Sequence, residues 1–208
     1  MLVSVLDRDG GSVALWWRGV EGAECYEVEM RKGQEEFVVL SSSVKGTTLR
    51  KKNLEKGIDY EFRVTAVKDG SKTDVSDIVK TSVVDGPQMG APKCADYDGS
   101  SAVVTWNNED GPYSLEMFED GEWSLVAGEL KGLAARKRNL RHGRRYYFRV
   151  KSNSRNWSLA SEAVSLPKKA PMMASYFGEK ILNQRGDFID TMDALAGRIV
   201  AVYASASW

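Results

Sequence analysis

Apolar and polar residues alternate with a period of two along most of this chain, the pattern of half-buried strands rather than helices. Val13, Leu15 and Trp17 share one face, which turns Trp17 inward and leaves Trp16 facing the other way. Tyr26, Val28 and Met30 alternate with Glu27 and Glu29, a strand with an acidic outer face. Another apolar run covers residues 37–40, and residues 47–54 lead into a strand over 59–67 that ends at the turn Lys68-Asp69-Gly70. Residues 78–84 form the strand that closes this set. Short strands separated by turns every 8–12 residues or so predict a β-sandwich.

The pattern then repeats. Leu54-x-x-Gly57-x-x-Tyr60-x-Phe62-Arg63-Val64 returns as Leu140-x-x-Gly143-x-x-Tyr146-x-Phe148-Arg149-Val150, an offset of 86 (140 − 54). In both copies Tyr, Phe and Val fall on one strand face, and the Gly marks the turn that feeds the strand. A Tyr just past such a corner, its hydroxyl bonding back to upstream backbone, is a tyrosine corner. Trp106 answers Trp17 at an offset of 89 (106 − 17), Tyr113 answers Tyr26 at 87 (113 − 26), and Trp123 answers Phe37 at 86 (123 − 37). The structural core is therefore expected around Trp17, Tyr60, Trp106 and Tyr146. A chain of 208 residues holds two small domains comfortably. The repeat divides it into a domain over 1–85, a Pro/Gly linker over 86–92, and a second domain over 93–168.

These doubled signatures strongly resemble tandem fibronectin type III domains over roughly residues 1–168. The resemblance implies an all-β fold, two immunoglobulin-like sandwiches in tandem. It says little about function, because this sandwich carries many unrelated binding roles.

From residue 169 the pattern changes. Residues 177–182 read as a strand, 192–195 as a short helical or turn connection, and Ile199-Val200-Ala201-Val202-Tyr203 as a buried strand. With Ala204-Ser205-Ala206-Ser207-Trp208, this segment over 169–208 resembles the opening of a tryparedoxin or nucleoredoxin domain, the start of an incomplete thioredoxin-like α/β unit. In that family the strand is followed directly by Cys-x-x-Cys; here Trp208 falls one residue before the first of those cysteines. Neither the thiolate nor the helix N-terminus that activates it is present. The tail is thus expected either to dock on a partner or to belong to a longer protein.

Charge changes the picture locally, not globally. Lys and Arg total 29, matching 29 Asp and Glu, which argues against a nucleic-acid or membrane-surface protein. Two cysteines, Cys25 and Cys94, stand at non-equivalent places, which suits a reducing compartment, and the first residues read as a strand instead of an export leader. Within the second repeat, residues 108–130 carry seven acidic residues and no Lys or Arg. Residues 131–161 carry ten Lys/Arg and no acid. Two expectations follow. Either Arg136, Lys137, Arg138, Arg141, Arg144 and Arg145 form a basic face for an acidic partner, or the two blocks pair internally, Glu116 opposite Arg149 or Lys151.

Trp157-Ser158-Leu159-Ala160-Ser161 resembles the Trp-Ser-x-Trp-Ser element of cytokine-receptor sandwiches, which implies a cation–π brace of Trp157 on Arg149. Arg185-Gly186-Asp187 is read as a Gly turn, and Asp7-x-Asp9-Gly10 as a turn lacking the Glu of a calcium loop. His142 is the only histidine, so neither a metal site nor a His-based catalytic group is supported, and no cofactor motif is found. The expected function is a non-enzymatic adaptor in the cytoplasm, in a cytoskeletal or ciliary assembly, whose partner is another protein such as an acidic filament surface of the tubulin kind. No small-molecule substrate is evident. The alternative is the targeting part of a thiol–disulfide oxidoreductase whose Cys-x-x-Cys lies beyond Trp208.

Overall fold

The computed structural model describes residues 1–95, 100–107, 110–166, 180–182 and 186–190. The first repeat forms eight strands: β1 (Val3–Arg8), β2 (Val13–Trp17), β3 (Cys25–Lys32), β4 (Val38–Val44), β5 (Thr48–Lys51), β6 (Tyr60–Lys68), β7 (Ser71–Val75) and β8 (Val79–Thr81). They build one sheet of order β1-β2-β5 and a second of order β4-β3-β6-β7, with β8 also paired to β6. The second repeat supplies β9 (Lys93–Ala95), β10 (Ala102–Thr105), β11 (Tyr113–Glu119), β12 (Glu122–Leu130), β13 (Ala134–Lys137), β14 (Arg145–Ser152) and β15 (Val164–Ser165). Its sheets run β13-β10-β9 and β12-β11-β14-β15, the order of the first repeat with β15 in the place of β8 and, among the described residues, no counterpart of β7.

Each sandwich closes over the face that alternation marks as apolar. Val13, Leu15 and Trp17 of β2 meet Tyr26 and Val28 of β3 and Phe62, Val64 and Ala66 of β6, all buried. Val104, Trp106, Tyr113, Leu115, Phe148 and Val150 do the same in the second sandwich. Tyr26 stands edge-on to Trp17 with ring centroids 5.5 Å apart, and Tyr113 stands edge-on to Trp106 at 5.7 Å. Both tyrosine corners are formed. The Tyr60 hydroxyl accepts the Glu55 N–H at 2.9 Å, and the Tyr146 hydroxyl accepts the Arg141 N–H at 2.8 Å. Gly57 and Gly143 sit in the left-handed region at φ 75° and 73°, a conformation that glycine adopts at little cost.

One strand departs from the sequence expectation. β7 is wholly exposed and polar up to its last residue, Val75, with no alternation to reveal it. It adds to the closing strand expected over 78–84, which forms only as the shorter β8. The break between them falls at Ser76, whose hydroxyl accepts the Val64 N–H at 2.9 Å in place of a ladder carbonyl. A side chain doing backbone work here interrupts the strand without leaving β6 unsatisfied.

Trp16 finds its partner in the other sandwich. Leu6, Ala14 and Trp16, on the outer face of the β1-β2 sheet, bury together with Phe118 of β11 and Tyr147 of β14, flanked by Trp123 and Ala160. Polar bonds frame this seam. The Trp123 indole N–H donates to the Leu6 carbonyl at 2.9 Å, and the Ala160 N–H donates to the buried Asp7 carboxylate at 2.9 Å. The expected linker is tied down as well. Gln88 donates to the carbonyls of Arg8 (2.7 Å) and Trp157 (2.8 Å), and Met89 is buried in the second core. The two sandwiches therefore pack sheet face to sheet face.

Of the segment over 169–208, the described part is a hairpin of β16 (Lys180–Leu182) and β17 (Phe188–Asp190), with Ile181 opposite Ile189. Gly186 between them has φ 85°, in keeping with a Gly turn. The helical or turn connection expected over 192–195, the strand over 199–203 and Arg185 lie outside the described residues.

Candidate functional site

The outer face of β11 and β14 carries the side chains not needed by the core. Their antiparallel register sets Glu116 opposite Arg149 and Phe118 opposite Tyr147. Arg149 donates from Nε and Nη2 to one Glu116 oxygen at 2.8 and 2.5 Å. Its guanidinium lies 4.1 Å from the Trp123 ring and 4.8 Å from the Trp157 ring, while Lys151 approaches Trp157 at 4.8 Å. Burial pulls the Arg149 pKa below its ordinary value, against the opposing hydrogen bond from Glu116. Both indoles, Trp157 and Trp123, thus lie within cation–π reach of Arg149. Sequence reasoning aligned Trp123 with Phe37 without giving it this contact.

Two serines hold the Trp157 loop against β14. Ser158 Oγ accepts the Val150 N–H and Ser161 Oγ accepts the Phe148 N–H, each at 3.0 Å. Their own N–H groups donate to the Val150 and Phe148 carbonyls, both at 2.8 Å. Each Ser supplies both halves of a ladder pair, so the loop runs along the sheet without continuing it.

Five of the six basic residues divide into two sets. Arg141 is ion-paired to Glu119, and Arg144 donates to both Asp120 oxygens at 2.9 and 2.7 Å. Together with Glu116–Arg149, these pairs join the acidic block to the basic block internally, because the β11–β12 turn and the start of β14 meet at one end of the sheet. Arg145 opens β14 opposite Ser165. Arg136, Lys137 and Arg138 instead line a cleft of about 450 Å³ with Met117, Ser124, Leu125, Val126 and Asn139. Arg136 donates to Ser101 Oγ at 3.0 Å, and Lys137 Nζ donates to the Arg138 carbonyl at 3.1 Å. None of the eight lining residues is acidic. The cleft opens beside β12, which is the edge strand of its sheet.

A smaller cavity of about 340 Å³ lies at the seam between Asp7, Arg8, Gln88, Arg149, Asn156 and Trp157. Its polar groups already have partners: within the first sandwich Arg8 bonds to Thr81 and Ser82 and Asp7 pairs with Arg50, while Gln88 bonds to carbonyls of both sandwiches. Cys94 is half-buried, and that burial raises its pKa, which favours the thiol over the thiolate. Among the described residues, no group of three His, Cys, Asp or Glu stands where it could hold a metal ion.

Trp16, Phe118 and Tyr147 are the contact residues that sequence reasoning missed. The signal was present in the repeat itself. Positions 31 and 61 of the first sandwich are the salt-bridged Arg31 and Glu61, opposite each other in register. Their counterparts at offsets of 87 and 86 are Phe118 and Tyr147. An outward charged pair replaced by an outward aromatic pair marks a covered face.

No protein-family model matches the sequence. Among solved structures, the chain is similar to a two-domain fibronectin type III segment of chicken tenascin, 19% identical over 78% of this chain and 94% of that one, with a TM-score of 0.36. It is also similar to a Fn3-like protein from Clostridium thermocellum, 24% identical over 40% of this chain and 88% of that one, with a TM-score of 0.36. The strand order, built independently in both halves, makes the described residues all-β, with two immunoglobulin-like β-sandwiches in tandem.

Proposed function

We propose that this protein is a non-enzymatic protein-binding adaptor, in which two fused sandwiches present a cationic margin to an acidic partner. The observation that carries this reading is the cleft beside β12, lined by Arg136, Lys137 and Arg138 and by no acid. Arg141 and Arg144 are committed to carboxylates of the same domain, so the basic surface narrows from six residues to Arg145 and the cleft set. Cys25 and Cys94 are not joined in a disulfide, which accords with a cytoplasmic setting. An acidic filament surface of the tubulin kind, in a cytoskeletal or ciliary assembly, suits a compact cationic patch better than a small ligand does.

Co-sedimentation with microtubules at rising salt tests this. Arg138→Glu should weaken binding and flatten its salt dependence, while Arg141→Glu should do less because Glu119 already neutralises that guanidinium. Equal effects from both variants, or binding insensitive to salt, would reject the patch.

A further inference from the structure

We infer that the free edge of β12 takes an extended segment of another protein, alternately acidic and apolar, as an added strand. This rests on the adaptor reading above and names the shape of the partner. Among the described residues β12 pairs with β11 alone, so its far edge offers unpaired backbone N–H and C=O groups. It runs nine residues, and its ladder to β11 is regular over Glu122–Leu125 before the register shifts, so a peptide registers on this first part of the strand.

The two sides of that edge differ in chemistry. Leu125 stands opposite Glu116, on the outer face with Trp123, and is 65% exposed. Ser124 stands opposite Met117, whose side chain belongs to the core, so the other face looks between the sheets. There the cleft carries Lys137 of β13, which stands opposite the core residue Ala102, and Arg138 of the turn after it. A strand laid along β12 places every second side chain in that cleft and the others beside Leu125. Carboxylates fit the first set and aliphatic groups the second. A uniformly acidic segment would waste the Leu125 side, and a uniformly apolar one would bury itself against Lys137 and Arg138 unpaired.

The test uses the full chain and two fluorescein-labelled heptapeptides, one of alternating Glu and Val and one of Glu alone, the latter carrying more charge. Fluorescence anisotropy gives affinity, and hydrogen exchange gives protection of the β12 amides. The alternating peptide should bind about tenfold tighter than the all-Glu peptide and slow exchange along residues 122–125. Leu125→Lys and Arg138→Glu should each weaken it about tenfold with native circular dichroism retained. Equal binding of both peptides without protection of β12 overturns strand addition and leaves the acidic-partner reading standing. Binding of neither overturns both. Self-association in sedimentation, abolished by Leu125→Lys, assigns the edge to a second copy and also overturns the inference.

Discussion

Trp16 and Phe118 meet edge to face, ring centroids 5.4 Å apart at 75°, although they belong to different sandwiches. Phe118 in turn meets Trp123 at 5.3 Å and Tyr147 at 6.1 Å, so Trp16 caps an aromatic cluster that its own sandwich does not supply. Trp16→Ala should remove about 2–4 kcal/mol from the docking of the two sandwiches while leaving each fold intact. Calorimetry should then resolve two transitions, and small-angle scattering should show a larger radius of gyration. A single unshifted transition would mean the seam contributes nothing. Trp17→Ala, one residue away and fully buried in the first core, should instead unfold that sandwich.

Gly121 offers a second lever on the seam. It has φ 102°, and an added Cβ would lie 2.6 Å from Leu2 Cδ2 and 3.2 Å from a Trp16 ring carbon. Gly121→Ala should therefore loosen the contact through both backbone strain and crowding, by roughly 1–3 kcal/mol. The same two measurements read it, and an unchanged radius of gyration would count against this account.

Arg149 is held by Glu116 and by two indole rings at once. Arg149→Ala should cost about 2–3 kcal/mol, since it leaves a mostly buried carboxylate without its cation and two rings without their neighbour. Arg149→Lys should recover part of this and no more, because an ammonium cannot stack flat against indoles. Urea midpoints followed by tryptophan fluorescence check the ranking.

Ser158 and Ser161 stand in for strand backbone. Ser158→Ala should expose the Val150 amide to exchange and Ser161→Ala the Phe148 amide, each at a cost of about 1–2 kcal/mol. Exchange measured at those two amides should change one at a time. Simultaneous loss in either variant would show that the loop detaches as a unit.

In the first sandwich, the Arg63 hydrogen bond holds the Glu29 carboxyl below its ordinary value of 4.5, against the opposing effect of burial. A carboxyl with a lowered folded-state pKa stabilises fully above its unfolded value, and that contribution disappears as pH falls through the folded one. Glu29→Gln should accordingly be less stable than the wild type near neutral pH and lose less on acidification below about pH 4.5. Parallel acid limbs in the two proteins would contradict the pairing.

The seam also has a direction. The first sandwich gives Trp16, where the second has Thr105 at an offset of 89. The second gives the Phe118–Tyr147 pair, where the first has Arg31–Glu61. Each sandwich carries one half of the contact, so the face-to-face mode joins these two units and does not extend to a third in the same way.

Period-two alternation decided the sandwiches, because a strand with one buried face must place its apolar residues two apart, and both Trp/Tyr cores lie where that rule puts them. The tyrosine corners were equally legible, since their partners are five residues apart in the chain. What tertiary structure alone decided depends on distant residues meeting. The split of the basic run into paired and cleft-lining sets follows from the antiparallel register of β11 on β14. β7 was invisible because an edge strand exposed on both faces needs no alternation. Trp16 could be read as pointing outward, but which surface covers it was settled only when a second sheet face, aromatic where its counterpart is charged, packed against it.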